Sequence, residues 1–134
     1  MYFKWDESYS VGIETFDSQH KILFGIINRL HEGLEMREHW PVLAEALGDM
    51  VTYAKLHFKS EEEEMKNHGY PGFELHKLEH DAFADMINTF LKQFENGEEA
   101  MKVEVLGAMV KWLKKHVNGT DKQYGPFLAD KGVR

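Results

Sequence analysis

Apolar residues recur along this chain at the three- and four-residue spacing of helices with one buried face, not at the alternation of a strand. From Asp17 the stripe runs through His20, Leu23, Phe24, Ile27, Leu30 and Leu34, which predicts a helix over about 17–37. Pro41 suits a first helical turn. Leu43, Leu47, Met50, Val51, Ala54, Phe58 and Met65 then carry a second helix, about 41–67, to the stop at Asn67-His68-Gly69. Beyond the turn Gly69-Tyr70-Pro71-Gly72, the residues Phe73, His76, His80, Phe83, Ile87, Leu91 and Phe94 mark a third, about 72–95, ended by Asn96-Gly97. Val105, Met109, Trp112, Leu113 and His116 mark a fourth, about 98–117. Short connections force antiparallel neighbours, so the expected fold is all-α, an up-down-up-down four-helix bundle. Residues 1–16 read as a non-helical N-terminal arm that lays Trp5, Tyr9 and Phe16 across the bundle, and 118–134 as a C-terminal tail. The whole of 1–134 reads as one domain around one core.

Composition narrows the chemistry. A formal net charge of -7 with no Lys/Arg-rich run argues against nucleic acid and anionic lipid as partners. No stretch approaches the roughly 20 apolar residues of a membrane span, and the opening Met1-Tyr2-Phe3-Lys4-Trp5-Asp6-Glu7 lacks a signal peptide's apolar run, so a cytoplasmic protein without membrane insertion is expected. With no cysteine, any metal must be held by His, Asp and Glu. Imidazole and carboxylate together suit iron, zinc, copper or manganese, which makes the positions of the eight histidines informative.

Residues spaced i, i+4 lie one turn apart on a helix face, so both can reach one metal ion. His76 with His80 and His57 with Glu61 have this spacing, and all four lie on the apolar stripes, where an unpartnered polar group is costly. In an up-down-up-down bundle the start of the first helix, the end of the second, the start of the third and the end of the fourth share one end. His20 and His57 both stand about 28 Å from the turn near residue 39, and His76, His80 and His116 about 28 Å from the turn near residue 97, at 1.5 Å per residue. The five histidines therefore converge in one layer. So many ligands exceed the needs of a single zinc ion and fit two metals. A second carboxylate is expected near the end of the fourth helix. Asp121 lies there, five residues past His116, and can join it only if the backbone widens into a π-like turn or unwinds at Asn118-Gly119.

Together, His20, His57-x-x-x-Glu61, His76-x-x-x-His80 and His116-x-x-x-x-Asp121 resemble the seven-ligand signature of the hemerythrin family, most of all its single-domain bacterial members. The likeness spans essentially the whole chain, including the Trp5 arm, Asp17-x-Gln19-His20 and Asp121-x-x-Tyr124. It implies two iron ions cycling between Fe2+ and Fe3+. His76, His80 and His116 would hold one and His20 and His57 the other, with Glu61, Asp121 and an oxo or hydroxo group bridging them. It further implies that molecular oxygen binds reversibly beside the second iron, in a pocket lined by Leu23, Phe58 and Trp112. Two residues after the fourth helix's histidine, Asn118 stands where the family often has a large apolar residue. That predicts a polar group beside the bound oxygen and faster loss of the oxygenated form.

Other polar residues read more simply. His31 is expected to pack or to be hydrogen-bonded, His39 to be solvated in a loop, and His68 to interact with the free carbonyls ending the second helix. Of Glu61-Glu62-Glu63-Glu64, only Glu61 and Glu64 turn toward the stripe, and Glu61 is one turn from His57. An oxidase or ferroxidase on a similar bundle uses Glu-x-x-His motifs, and the chain has none. Oxygen storage, delivery or sensing without catalysis is therefore expected over the alternatives, a di-iron enzyme or a sensor of oxygen, nitric oxide or redox state acting through a separate partner. For delivery, the target would be an oxygen-consuming enzyme.

Overall fold

The computed structural model describes residues 3–35, 40–95 and 100–134, and side chains outside 34–44 and 93–105. Four long helices, α1 (Glu14–Glu35), α2 (Trp40–Asn67), α3 (Phe73–Glu95) and α4 (Ala100–Lys115), form an all-α bundle. In it α1 packs on α2 and α4, and α3 on α2 and α4. The turns expected near residues 39 and 97, and with them His39, lie outside the described residues.

Buried Leu23, Phe24, Ile27 and Leu30 of α1 meet Leu47, Met50, Ala54 and Phe58 of α2, Phe83, Ile87 and Phe90 of α3, and Leu106, Met109 and Leu113 of α4. All but Phe90 and Leu106 are the expected stripe positions, with Leu91 only partly buried beside Phe90, and this burial is what holds an amphipathic helix of this length in place. Helix α2 ends in a Schellman turn: Gly69 adopts φ 69°, its N–H donates to the Lys66 carbonyl, and the Tyr70 N–H donates to that of Met65. This reversal sets α3 antiparallel to α2.

The arm is tied down rather than loose. The Phe3 N–H donates to Asn28 Oδ1 at 2.6 Å and Asn28 Nδ2 donates to the Phe3 carbonyl at 2.7 Å. Phe3 stacks on Phe24 with centroids 3.8 Å apart, and Tyr9 meets the same ring edge-on. Asp17, in the first turn of α1, accepts from Ser10 Oγ and the Val11 N–H at 2.5 and 2.9 Å. The arm contains a 3-10 turn, Glu7–Tyr9, and ends earlier than the apolar pattern suggests, because α1 starts at Glu14.

The C-terminal segment departs further from expectation. After α4 the chain passes through a π turn, His116–Asp121, into α5 (Lys122–Asp130), where the sequence reads as a tail. Tyr124 and Leu128 of α5 join Val11, Ile13, Phe16 and Met65 in a second apolar cluster at one end of the bundle. Gly125 permits this docking, since a Cβ there would lie 2.2 Å from the Val11 carbonyl oxygen. Among the described residues, no helix is long and apolar enough to cross a membrane.

Candidate metal centre

Between the main core and this end cluster lies a polar layer. His20 on α1, His57 and Glu61 on α2, His76 and His80 on α3, and His116 and Asp121 at the two ends of the π turn are all at most 1% exposed. The π turn closes its backbone through i→i+5 bonds, so a five-residue step brings the last of these groups back beside the first. His116 Nε2 and Asp121 Oδ1 are 2.8 Å apart.

Two sets of ligand atoms converge. Glu61, His76, His80, His116 and Asp121 form one, and His20, His57, Glu61 and Asp121 the other, each with its atoms mutually within 4.8 Å. Glu61 and Asp121 belong to both. Glu61 Oε1 lies 3.1 Å from His57 Nε2 and 3.2 Å from His80 Nε2, while Asp121 lies 3.0 Å from His20 Nε2 and 2.8 Å from His76 Nε2.

These contacts are close, yet His20 Nε2, His76 Nε2, Glu61 Oε1 and both Asp121 oxygens make no bond of hydrogen-bonding geometry. Buried polar atoms left so are rare in folded proteins. The outer face of the layer sharpens the point. The Nδ1 atoms of His57, His80 and His116 face Gln19 Oε1, Glu62 Oε2 and Glu79 Oε1 at 2.5, 2.8 and 3.2 Å. A carboxylate only accepts, so His80 and His116 must donate from Nδ1. Their Nε2 atoms, 3.1 Å apart, then bear lone pairs turned toward each other unless a cation stands between. The donor set is oriented toward a positive charge.

Without metal, protons take that role. Burial disfavours charge on His20, but Asp121 and Glu61 outweigh it and raise its pKa to about 10. Burial acts the same way on His80, which Glu61 and Glu62 raise to about 9. His116 is raised too, against burial, chiefly by Asp121. For His57 burial wins, and its pKa is lowered. Burial pushes Glu61 and Asp121 up, yet both are held below the usual carboxylate range, Glu61 by His57 foremost and Asp121 by His116 foremost. Tyr124 donates a hydrogen bond to Glu61 Oε2, and its own pKa is pushed well up by burial and by Glu61.

A family model, the hemerythrin HHE cation binding domain, matches residues 11–128. The chain belongs to the hemerythrin family. A bacteriohemerythrin of Methylococcus capsulatus is 34% identical over 121 residues, 90% of this chain and 92% of the relative. A myohemerythrin of Theromyzon tessulatum is 32% identical over 123 residues, 91% of this chain and 90% of its own length. The crystal structure of a wild-type hemerythrin superposes with a TM-score of 0.89 at 31% identity, covering 96% of this chain and 99% of the other.

The seven residues singled out by spacing thus stand together in this hemerythrin fold. Of the expected lining residues, Phe58 stacks on His80 at 3.9 Å and 8°, and Trp112 on His116 at 4.5 Å and 15°. Leu23 is fully buried in the adjoining core. Asn118 does not belong with them. It is exposed, while its neighbour Val117 is buried. Even in regular α-helix a two-residue step turns about 200°, which sends Asn118 to the side opposite His116. Glu62 also corrects expectation, since it faces His80 rather than solvent alone, whereas Glu64 pairs with His68 at 3.3 Å near the surface. Glu79 is a further addition. No spacing rule marks it, although Thr120, which donates to both its oxygens at 2.8 and 2.9 Å, sits in the π turn whose width the His116–Asp121 spacing requires.

Proposed function

We propose that the chain is a non-haem di-iron protein that binds molecular oxygen reversibly, with His76, His80 and His116 holding one iron, His20 and His57 the other, and Glu61 and Asp121 shared between them. One observation carries this reading: two convergent ligand sets have the same two buried carboxylates in common. Five imidazoles and two carboxylates are a donor set suited to iron. When bound, the iron pair supplies the electrons exchanged with oxygen.

The surrounding residues favour carrying over chemistry. Tyr124 holds Glu61 in place through its hydroxyl. Phe16 and Tyr124, at 5.5 Å edge to face, close the layer from the end, and Phe58, Phe83 and Trp112 close it from the core. Apolar walls exclude water and protons, which slows irreversible loss of reduced oxygen species. A histidine-rich donor set without Glu-x-x-His motifs sets the site apart from the carboxylate-rich di-iron enzymes.

The test is anaerobic reconstitution with ferrous iron, followed by repeated exposure to and removal of oxygen while visible absorbance is recorded. Two irons per chain and an absorption that appears and disappears over several cycles are expected. One iron per chain, or a single irreversible oxidation, would overturn the reading.

A further inference from the structure

The two halves of the polar layer differ in what receives the outward-facing N–H of their histidines. In the three-histidine half, two of the Nδ1 atoms face carboxylates: His80 meets Glu62 at 2.8 Å and His116 meets Glu79 at 3.2 Å. In the two-histidine half the one such partner is an amide, Gln19 Oε1, 2.5 Å from His57 Nδ1. The remaining Nδ1 atoms, of His76 and His20, have no hydrogen-bond partner among the described residues. The difference is therefore two negative charges against none.

Charge at that position reaches the metal-facing nitrogen. An imidazole donating Nδ1–H to an anion acquires partial imidazolate character, which raises the basicity of Nε2 and strengthens it as a donor to a metal. A more basic donor stabilises the more highly charged ion. A neutral amide oxygen fixes the same tautomer without the same push.

We propose that Glu62 and Glu79 are positioning residues that make the metal of the three-histidine half the more readily oxidised of the pair, and that Gln19 leaves its neighbour harder to oxidise. The inference rests on the di-iron reading above and assigns each half a role in it. Glu79 also binds Thr120, so the same carboxylate that charges His116 anchors the π turn carrying Asp121.

The experiment is a redox titration of the iron-loaded protein and its E62Q, E79Q and Q19E variants, with Mössbauer spectra of 57Fe samples poised half-oxidised. Glutamine keeps an acceptor oxygen in reach of Nδ1, as Gln19 does for His57, so E62Q and E79Q should keep their iron and melting temperature. Each should shift the ferric-to-ferrous ratio of the first oxidation about tenfold toward ferrous, a rise of ~59 mV for one electron. Q19E should move the second oxidation the opposite way and narrow the gap between the two. The half-oxidised wild type should hold its ferric ion in one site, and E62Q should spread it over both. Unchanged potentials in a wild type and variants that all carry two irons would overturn this inference alone. A wild type unable to load two irons would overturn it together with the di-iron reading.

Discussion

The middle of the bundle and its metal-binding end are built on opposite principles. In the middle, Ile27, Leu47, Met50, Ile87 and Phe90 are buried among apolar neighbours and need nothing further. At the end, five imidazoles and two carboxylates are equally buried but satisfy one another only through added cations, whether protons or metal. Burying charge stabilises little unless every group is paired. The apolar middle supplies the fold, while the end is held in a costly arrangement by the packing around it. Metal is expected to tighten the end far more than the middle.

The largest effect should come from removing a carboxylate common to both ligand sets. Glu61→Ala leaves His20, His57 and His80 without the partner each now faces, at 3.6, 3.1 and 3.2 Å. It should abolish most iron binding and destabilise the metal-free protein by about 3–5 kcal/mol. Glu64→Ala removes only a surface pair with His68 and should cost less than about 1 kcal/mol with iron content intact. Metal analysis and thermal melts compare them, and iron retention by Glu61→Ala would break the division between the two regions.

Next comes a cut in the apolar middle. Leu47→Ala deletes a fully buried side chain and should cost about 2–5 kcal/mol. That loss should be the same with and without iron, and the iron-to-chain ratio should stay at the wild-type value. If Leu47→Ala instead weakens iron binding, the two regions are coupled and the separation fails.

A smaller effect concerns protons. Near pH 7 the metal-free protein holds His20 and His80 charged, with pKa values of about 10 and about 9, whereas metal ligation requires neutral imidazoles. Loading should therefore release at least two protons per chain near neutral pH, from His20 and His80 with a further share from the raised His116, and fewer as the pH rises past 9. Raised histidines contribute stability fully below their ordinary 6.5, lost as pH climbs through the folded values. Depressed Glu61 and Asp121 contribute above the ordinary carboxylate range, lost in acid. Calorimetric titrations in buffers of different ionisation heat measure the release, and identical heats in all of them would refute it.

The contrast between regions also explains what could be read from the chain. The apolar stripes revealed four helices because a buried face repeats at helical spacing, and equal axial distances brought His20, His57, His76, His80 and His116 into one layer. The step from His116 to Asp121 demands a widened turn, and a π turn is there. Helix α5 is hidden because Gly125 and Pro126 look like breakers, although Asp121, Tyr124, Gly125 and Leu128 are spaced i, i+3, i+4, i+7. Glu62 and Glu79 are hidden for a different reason. Their partners lie on other helices, and a carboxylate reaching across is indistinguishable in sequence from one facing water.

The smallest effect is expected at Asn118. It lies within the π turn, between His116 and Asp121, yet its side chain is exposed while Val117, His116 and Asp121 are buried. Asn118→Leu therefore places an apolar side chain in solvent, with a stability change within about 0.5 kcal/mol. Iron content and the lifetime of the oxygenated form, followed by visible absorbance in air, should match the wild type. Val117→Asn is the contrasting variant, because it buries an amide among apolar neighbours and should cost about 1–3 kcal/mol. A longer-lived oxygenated form in Asn118→Leu would mean that the π turn rotates when iron is held, bringing position 118 inward and returning it to the oxygen-binding side.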